Sequence, residues 1–369
     1  MSEPNGRQAA RDRGTTEGMT KDTTPVAVGI AVHHGPISGM ALRPDGRRLL
    51  VTNYADDSVS VVDTDTFRVV DTVEGVAEPF AIAVGGASGR AYVSGVAMTS
   101  AAYDSIQVID TDTGMVVQTH PLTMSVSDLA ADAAGRYVYA SRNDARAADV
   151  AVLDTATGHV RTIDVAGRTP GTTTECVCVS PDGSRAYVAT NGPAGGRLVV
   201  VASTPAGLRV IDTVEIGLPV RDVALSPSGA LAYVASCAPA VGVVIDVVDT
   251  RTNTISSTRK IGETGGFLTR MTLSADGDRA YLVSDDNVAV LCTLSYDILA
   301  TLGAGTQPSC AVESPDGTRL YIADYSGVVT VTPVPAKAPL ALAGAASDSE
   351  PWRAALLVPD LVAHQPVFA

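Results

Sequence analysis

The sequence predicts an all-β protein, a seven-bladed β-propeller of four-stranded blades, and three observations carry that prediction. One phrase, an apolar run, a Pro-Asp-Gly-like turn and a second apolar run usually containing Tyr, recurs seven times. Its turn glycines (Gly46, Gly89, Gly135, Gly183, Gly229, Gly277, Gly317) stand 43, 46, 48, 46, 48 and 40 residues apart, too far for leucine-rich or ankyrin units and right for a blade. Composition agrees: 34 Gly and 21 Pro against 4 Phe and 1 Trp mean many short elements joined by turns, with Val, Thr and Ala filling the apolar runs.

The copies follow in order. Met40 to Leu42 lead through Pro44-Asp45-Gly46 to Leu49-Leu50-Val51-Thr52-Asn53. A degenerate second copy turns at Ser88-Gly89 before Tyr92, and the third runs through Gly135 to Tyr139. The fourth turns at Pro181-Asp182-Gly183 before Tyr187, the fifth at Pro227-Ser228-Gly229 before Tyr233, the sixth at Asp276-Gly277 before Tyr281 and the seventh at Pro315-Asp316-Gly317 before Tyr321. Asp-Gly between alternating apolar runs is a hairpin signal, because Gly accepts the positive φ of a tight turn. Lettering strands A to D from the axis outward, this phrase is the A-to-B hairpin.

A second anchor supplies the C-to-D hairpin: Val61-Val62-Asp63-Thr64, Val108-Ile109-Asp110-Thr111, Val152-Leu153-Asp154-Thr155 and Val247-Val248-Asp249-Thr250. Asp110-x-Asp112-x-Gly114 invites a calcium reading. The repeat argues against it, since the second carboxylate becomes Ala156 or Arg251 in other copies while the turn persists. What recurs is an Asx-type turn. After Val334 no fourth strand follows in register, whereas Pro25 to Val32 precedes the first full repeat, so the N-terminal strand is expected to complete the last blade and close the ring. The expected domains are a disordered arm over 1–24, the propeller over 25–335 and a tail over 336–369. Trp352 with Leu356, Leu357 and Val358 makes the tail apolar enough to pack on the propeller or on a partner.

At Leu50-Val51-Thr52-Asn53, Tyr187-Val188-Ala189-Thr190 and Tyr281-Leu282-Val283-Ser284 the chain resembles the YVTN-repeat family of seven-bladed β-propellers. That family includes surface-layer proteins, YncE-like DNA-associated proteins and relatives of lactonases and dehydrogenase subunits, so the resemblance implies a fold more than an activity. A bacterial source is expected from 3 Lys against 23 Arg. WD40 and quinone-type propellers are disfavoured because the sole tryptophan lies outside the repeats.

The balance of 26 basic against 40 acidic residues gives a net charge of −14, which repels phosphate backbones and anionic lipid, so neither nucleic acid nor membrane is an expected partner. No signal-peptide h-region precedes the repeats and no 18-residue apolar run occurs, so a soluble, cytoplasmic protein is expected. The five cysteines read as free thiols of a reducing compartment, with Cys176 and Cys178 as core thiols. No metal and no cofactor is expected, because the five histidines share no ligand spacing with the cysteines and the adjacent pair His33-His34 would point to opposite faces of a strand.

Chemistry is expected where the D-to-A and B-to-C loops ring the channel mouth. His34, Glu78, Glu175, Arg221 and Arg270 approach the A strands there and Arg142 lies on a B-to-C connection, so these six form the candidate ligand-binding set, suited to a small anionic molecule. Asp128 and Asp222 occupy one repeated column and read as braces between neighbouring loops. Gly-x-Ser-x-Gly, His-Glu-x-x-His and Walker signatures are missing. The expected function is therefore a non-enzymatic binding or assembly scaffold with a small-ligand or protein-partner site at the mouth. The alternatives are a lactonase-like or isomerising enzyme using a His/Glu/Arg ring, and a subunit of a larger assembly docked through the tail.

Overall fold

In the computed structural model, residues 27–334 are described apart from 87–88, 97–103, 168, 205–206, 263, 265 and 304. The arm over 1–24 and the tail over 336–369 with Trp352 lie outside the described residues. Seven four-stranded antiparallel sheets follow one another along the chain, over residues 37–74, 82–121, 125–164, 173–215, 220–260, 268–302 and 308–333. The last contributes only three strands from its own repeat. Its fourth is Val28–Ala31, which pairs antiparallel with Val328–Pro333 through Val28↔Val331 to Ala31↔Val328. The expected closure is thus realised, and Ile30 and Val32 join Met40, Leu49 and Tyr321 in one apolar cluster that seals the last blade to the first.

Burial follows strand position. In the first blade, strands B (Arg48–Asn53) and C (Ser58–Asp63) are buried almost throughout, because neighbouring blades cover both faces, and their few polar members, such as Asn53, Ser58 and Ser60, hydrogen-bond one another. Strand D (Arg68–Glu74) is mostly exposed. The repeated tyrosines share one register position in strand B and are buried, with Leu50 in the same place in the first blade.

The turns do more than reverse the chain. In the fifth, sixth and first blades the turn glycine lies against the turn proline of the preceding blade: Gly229 under Pro181, Gly277 under Pro227 and Gly46 under Pro315. Gly277 has φ +76°, and a Cβ there would stand 2.6 Å from Pro227 Cδ, so this position requires glycine both for conformation and for the interlock. The C-to-D turn is tied to the A-to-B turn of its own blade by a threonine hydroxyl donating to the glycine carbonyl, as Thr64 does to Gly46 (2.6 Å) and Thr250 to Gly229 (2.6 Å). The preceding aspartates are Asx-turn acceptors: Asp110 Oδ1 takes the amides of Asp112 (3.1 Å) and Thr113 (2.9 Å), and Asp154 and Asp249 repeat the arrangement.

Candidate ligand site at the channel mouth

Strand A of most blades opens with a β-bulge, and the residue just inside it defines one level around the channel: Gly39, Ala81, Asp128, Cys176, Asp222, Arg270 and Cys310, one per blade. The bulge frees the amide of the next residue from the ladder. For three blades the residue at this level in the preceding blade accepts from that amide, whereas Gly39 and Ala81 carry no side-chain acceptor. Asp128 Oδ2 accepts from Val177 N (3.0 Å) and Asp222 Oδ2 from Met271 N (2.9 Å), while the Cys310 sulfur takes the amide of Met40. The two aspartates are therefore blade-to-blade braces, as their shared column suggested.

Arg270 differs from these acceptors, since a guanidinium has only donors. It projects into a cavity of about 180 Å³ that Asp128, Asp222, Met40, Ile82 and Cys310 help to line. Its Nη1 lies 3.6 Å from Asp128 Oδ1, an ion pair beyond hydrogen-bond length, and the guanidinium makes no hydrogen bond to any described residue. Burial would favour its neutral form, but the carboxylates of Asp128 and Asp222 outweigh that and hold it protonated. Desolvation pushes the Asp128 carboxyl up to about 6 against the pull of Arg270, with Asp222 adding to the rise; Asp222 is itself raised by burial. Burial likewise keeps the thiols neutral, raising Cys176 and Cys178 and bringing Cys310 up to about 11. All five cysteines are free.

Arg270 and Ser38 also line a second pocket of about 450 Å³ directly above, at the mouth. Its rim is aromatic: Tyr54 and Tyr325 come from B-to-C loops and Phe80 from a D-to-A loop, with 40%, 48% and 41% of their surface exposed. Tyr54 is steered by its hydroxyl, which donates to Glu78 Oε2 (3.1 Å). Glu78 is exposed, sits at φ +45°, and is fixed by its own amide donating to Asp57 (2.8 Å).

Of the six candidate residues, then, Arg270 alone lines both cavities, and Glu78 touches the site through Tyr54. Arg142 is not on a loop: it lies in strand B of the third blade (Tyr137–Asn143), 3% exposed, and forms a bidentate pair with Asp149 on the facing strand (2.8 and 2.7 Å). Arg221 stacks on the Phe267 ring at 4.4 Å, Glu175 accepts from Thr173 (3.2 Å), and His34 is exposed beside His33, which pairs with Asp56. The repeat already puts Tyr54 and Tyr325 on B-to-C loops at the mouth, whereas Phe80, on a D-to-A connection, carries no sequence signal for the rim.

Among the described residues no group of three or more His, Cys, Asp or Glu side chains is placed to hold a metal, and no helix is long and apolar enough to cross a membrane.

A closed ring of seven four-stranded blades around a polar channel defines the chain as a seven-bladed β-propeller protein. It is 52% identical over 363 residues to the seven-bladed β-propeller protein Rv1057 of Mycobacterium tuberculosis, a match spanning 90% of this chain and 91% of that one, and it belongs to the same family. No family model matches the chain, so the YVTN resemblance rests on the repeat residues themselves. Among solved structures, a chain of Kuenenia stuttgartiensis hydrazine synthase superposes with a TM-score of 0.71, covering 87% of this chain and 99% of that one at 18% identity, a likeness of fold.

Proposed function

We propose that this propeller is a binding protein whose channel mouth holds a small molecule, anchored on Arg270 and enclosed by Tyr54, Phe80 and Tyr325. One observation carries the reading: a charged guanidinium stands in the channel with its N–H donors free of hydrogen bonds to any described residue, at the level where Asp128 and Asp222 act as acceptors in their blades. The Arg270 side chain keeps 27% of its surface exposed, so a ligand entering from the mouth can reach those donors, and charged groups gathered in a cleft are a mark of functional sites. The lactonase-like alternative draws less support, because His34 and Arg221 of its His/Glu/Arg ring line neither cavity with Arg270, and Glu78 reaches the rim only through Tyr54.

A thermal-shift screen of small metabolites against the full chain tests the proposal, with hits titrated calorimetrically into wild type, Arg270→Gln and Arg270→Lys and recovered for mass analysis. The expected outcome is saturable binding of an unchanged molecule, abolished by Gln and weakened by Lys. Hits that bind Arg270→Gln undiminished, or that are recovered chemically altered, would overturn it.

A further inference from the structure

We propose that the molecule held at the mouth is a zwitterion of the α-amino-acid type bearing an aromatic or bulky apolar side chain, an inference that rests on the binding role just assigned to Arg270. Three features of the site converge on it.

The donor fork comes first. Arg270 offers planar, paired N–H groups that make no hydrogen bond within the described protein, and a carboxylate is the group that takes such a fork bidentately. Charge balance comes second. The guanidinium shares its cavity with two carboxyl groups, Asp128 and Asp222, so with both ionised the triad is net negative. A bare anion would gain Arg270 and meet like charge behind it, and a bare cation would gain the aspartates and meet Arg270 in front of them. A ligand with an ammonium beside its carboxylate satisfies both, the carboxylate on Arg270 and the ammonium turned toward Asp128, whose Oδ1 faces the guanidinium at 3.6 Å. Third, the two cavities differ in kind. The inner one, about 180 Å³, suits two small charged ends, whereas the outer one, about 450 Å³, lies within the size range of small-molecule sites and presents Tyr54, Phe80 and Tyr325. The two share Arg270, so a ligand gripped there carries its side chain into the aromatic rim, where offset or edge-on ring packing stabilises it.

Neither end of such a ligand would suffice alone. An ordered charge-assisted hydrogen bond in a desolvated site contributes enough that deleting its partner typically weakens binding by about tenfold or more.

Isothermal titration of the full chain with L-phenylalanine, 3-phenylpropanoate (the same skeleton without the ammonium) and 2-phenylethylamine (without the carboxylate) tests the assignment. L-phenylalanine is expected to bind and each one-ended analogue to bind about tenfold more weakly or worse. Asp128→Asn should bring L-phenylalanine down to the affinity of 3-phenylpropanoate while leaving 3-phenylpropanoate itself undiminished, a selective loss that impaired folding would not produce. Equal or tighter binding of either analogue overturns the proposal, as does failure of all three probes to bind. In that last case, hits from the metabolite screen that still depend on Arg270 would leave the binding role standing with a different ligand class, whereas no Arg270-dependent hit would remove both.

Discussion

Replacing Asp128 by Asn should make the protein more stable near neutral pH and should remove a pH dependence that the wild type carries. The carboxyl sits at about 6 in the folded chain, against an ordinary value of 3.8, chiefly because burial disfavours its charge, and its side chain is only 17% exposed. The folded state therefore binds a proton more readily than the unfolded one. Its contribution is fully present below pH 4 and is lost as pH rises through 6, the window set by those two values. The gap corresponds to about 3 kcal/mol in full, and to about 2 kcal/mol between pH 4.5 and 7.5. The groups around the carboxyl are Arg270 across the channel, Asp222, the neutral thiols of Cys176 and Cys178, and the Val177 amide. Asn keeps an acceptor for that amide without the charge. Urea unfolding of both proteins near pH 4.5 and 7.5, followed by circular dichroism, isolates the effect as a double difference, because the Asx-turn aspartates common to both cancel. Wild type should lose about 2 kcal/mol more than the variant between the lower and the higher pH. Equal losses, or a larger loss in the variant, would refute the assignment of a buried, proton-binding Asp128.

Three further outcomes follow from the packing. Removing residues through Val32 deletes the strand that completes the last blade, so the midpoint of thermal denaturation should fall sharply and the exposed edge of Val328–Pro333 should promote association, measurable by light scattering. Gly277→Ala should cost more than the roughly 1–2 kcal/mol of left-handed strain, because its Cβ meets Pro227. Gly75→Ala, at φ +83° with nothing within 4 Å, should show the strain alone, and the difference between the two in urea titration measures the interlock. In timed alkylation read by mass spectrometry, Cys292 should react first: burial opposes its thiolate, but the Ser295 amide and hydroxyl outweigh that and lower it, whereas Cys176, Cys178 and Cys310 are held neutral.

The repeat made the blades, the turns and the closing strand legible, because a Pro-Asp-Gly phrase or an Asp-Thr anchor encodes local geometry that each copy restates. The Asx reading of Asp110 and Asp154 was available for the same reason. The site was only partly legible. Aligning the strand A columns would have placed Asp128, Cys176, Asp222, Arg270 and Cys310 at one level and marked Arg270 as the lone cation among them. Nothing local distinguishes it from Arg221, one register position earlier in its own blade, which instead lies on Phe267. Arg142 was misplaced because strand B of the third blade runs longer than its turn signals suggest, carrying the side chain into a pair with Asp149. Tyr54, Phe80 and Tyr325 come together only through ring closure, a long-range event that no window of sequence contains.

The most direct test of an open Arg270 anchor is the Nε–H resonance of that residue, assigned by its disappearance in Arg270→Lys and followed by hydrogen exchange in the free protein and with saturating L-phenylalanine. With no protein acceptor, exchange should be fast in the free chain, and ligand should shift the resonance and slow its exchange. A resonance already protected in the free protein, or one left unmoved while the ligand binds, would contradict the account.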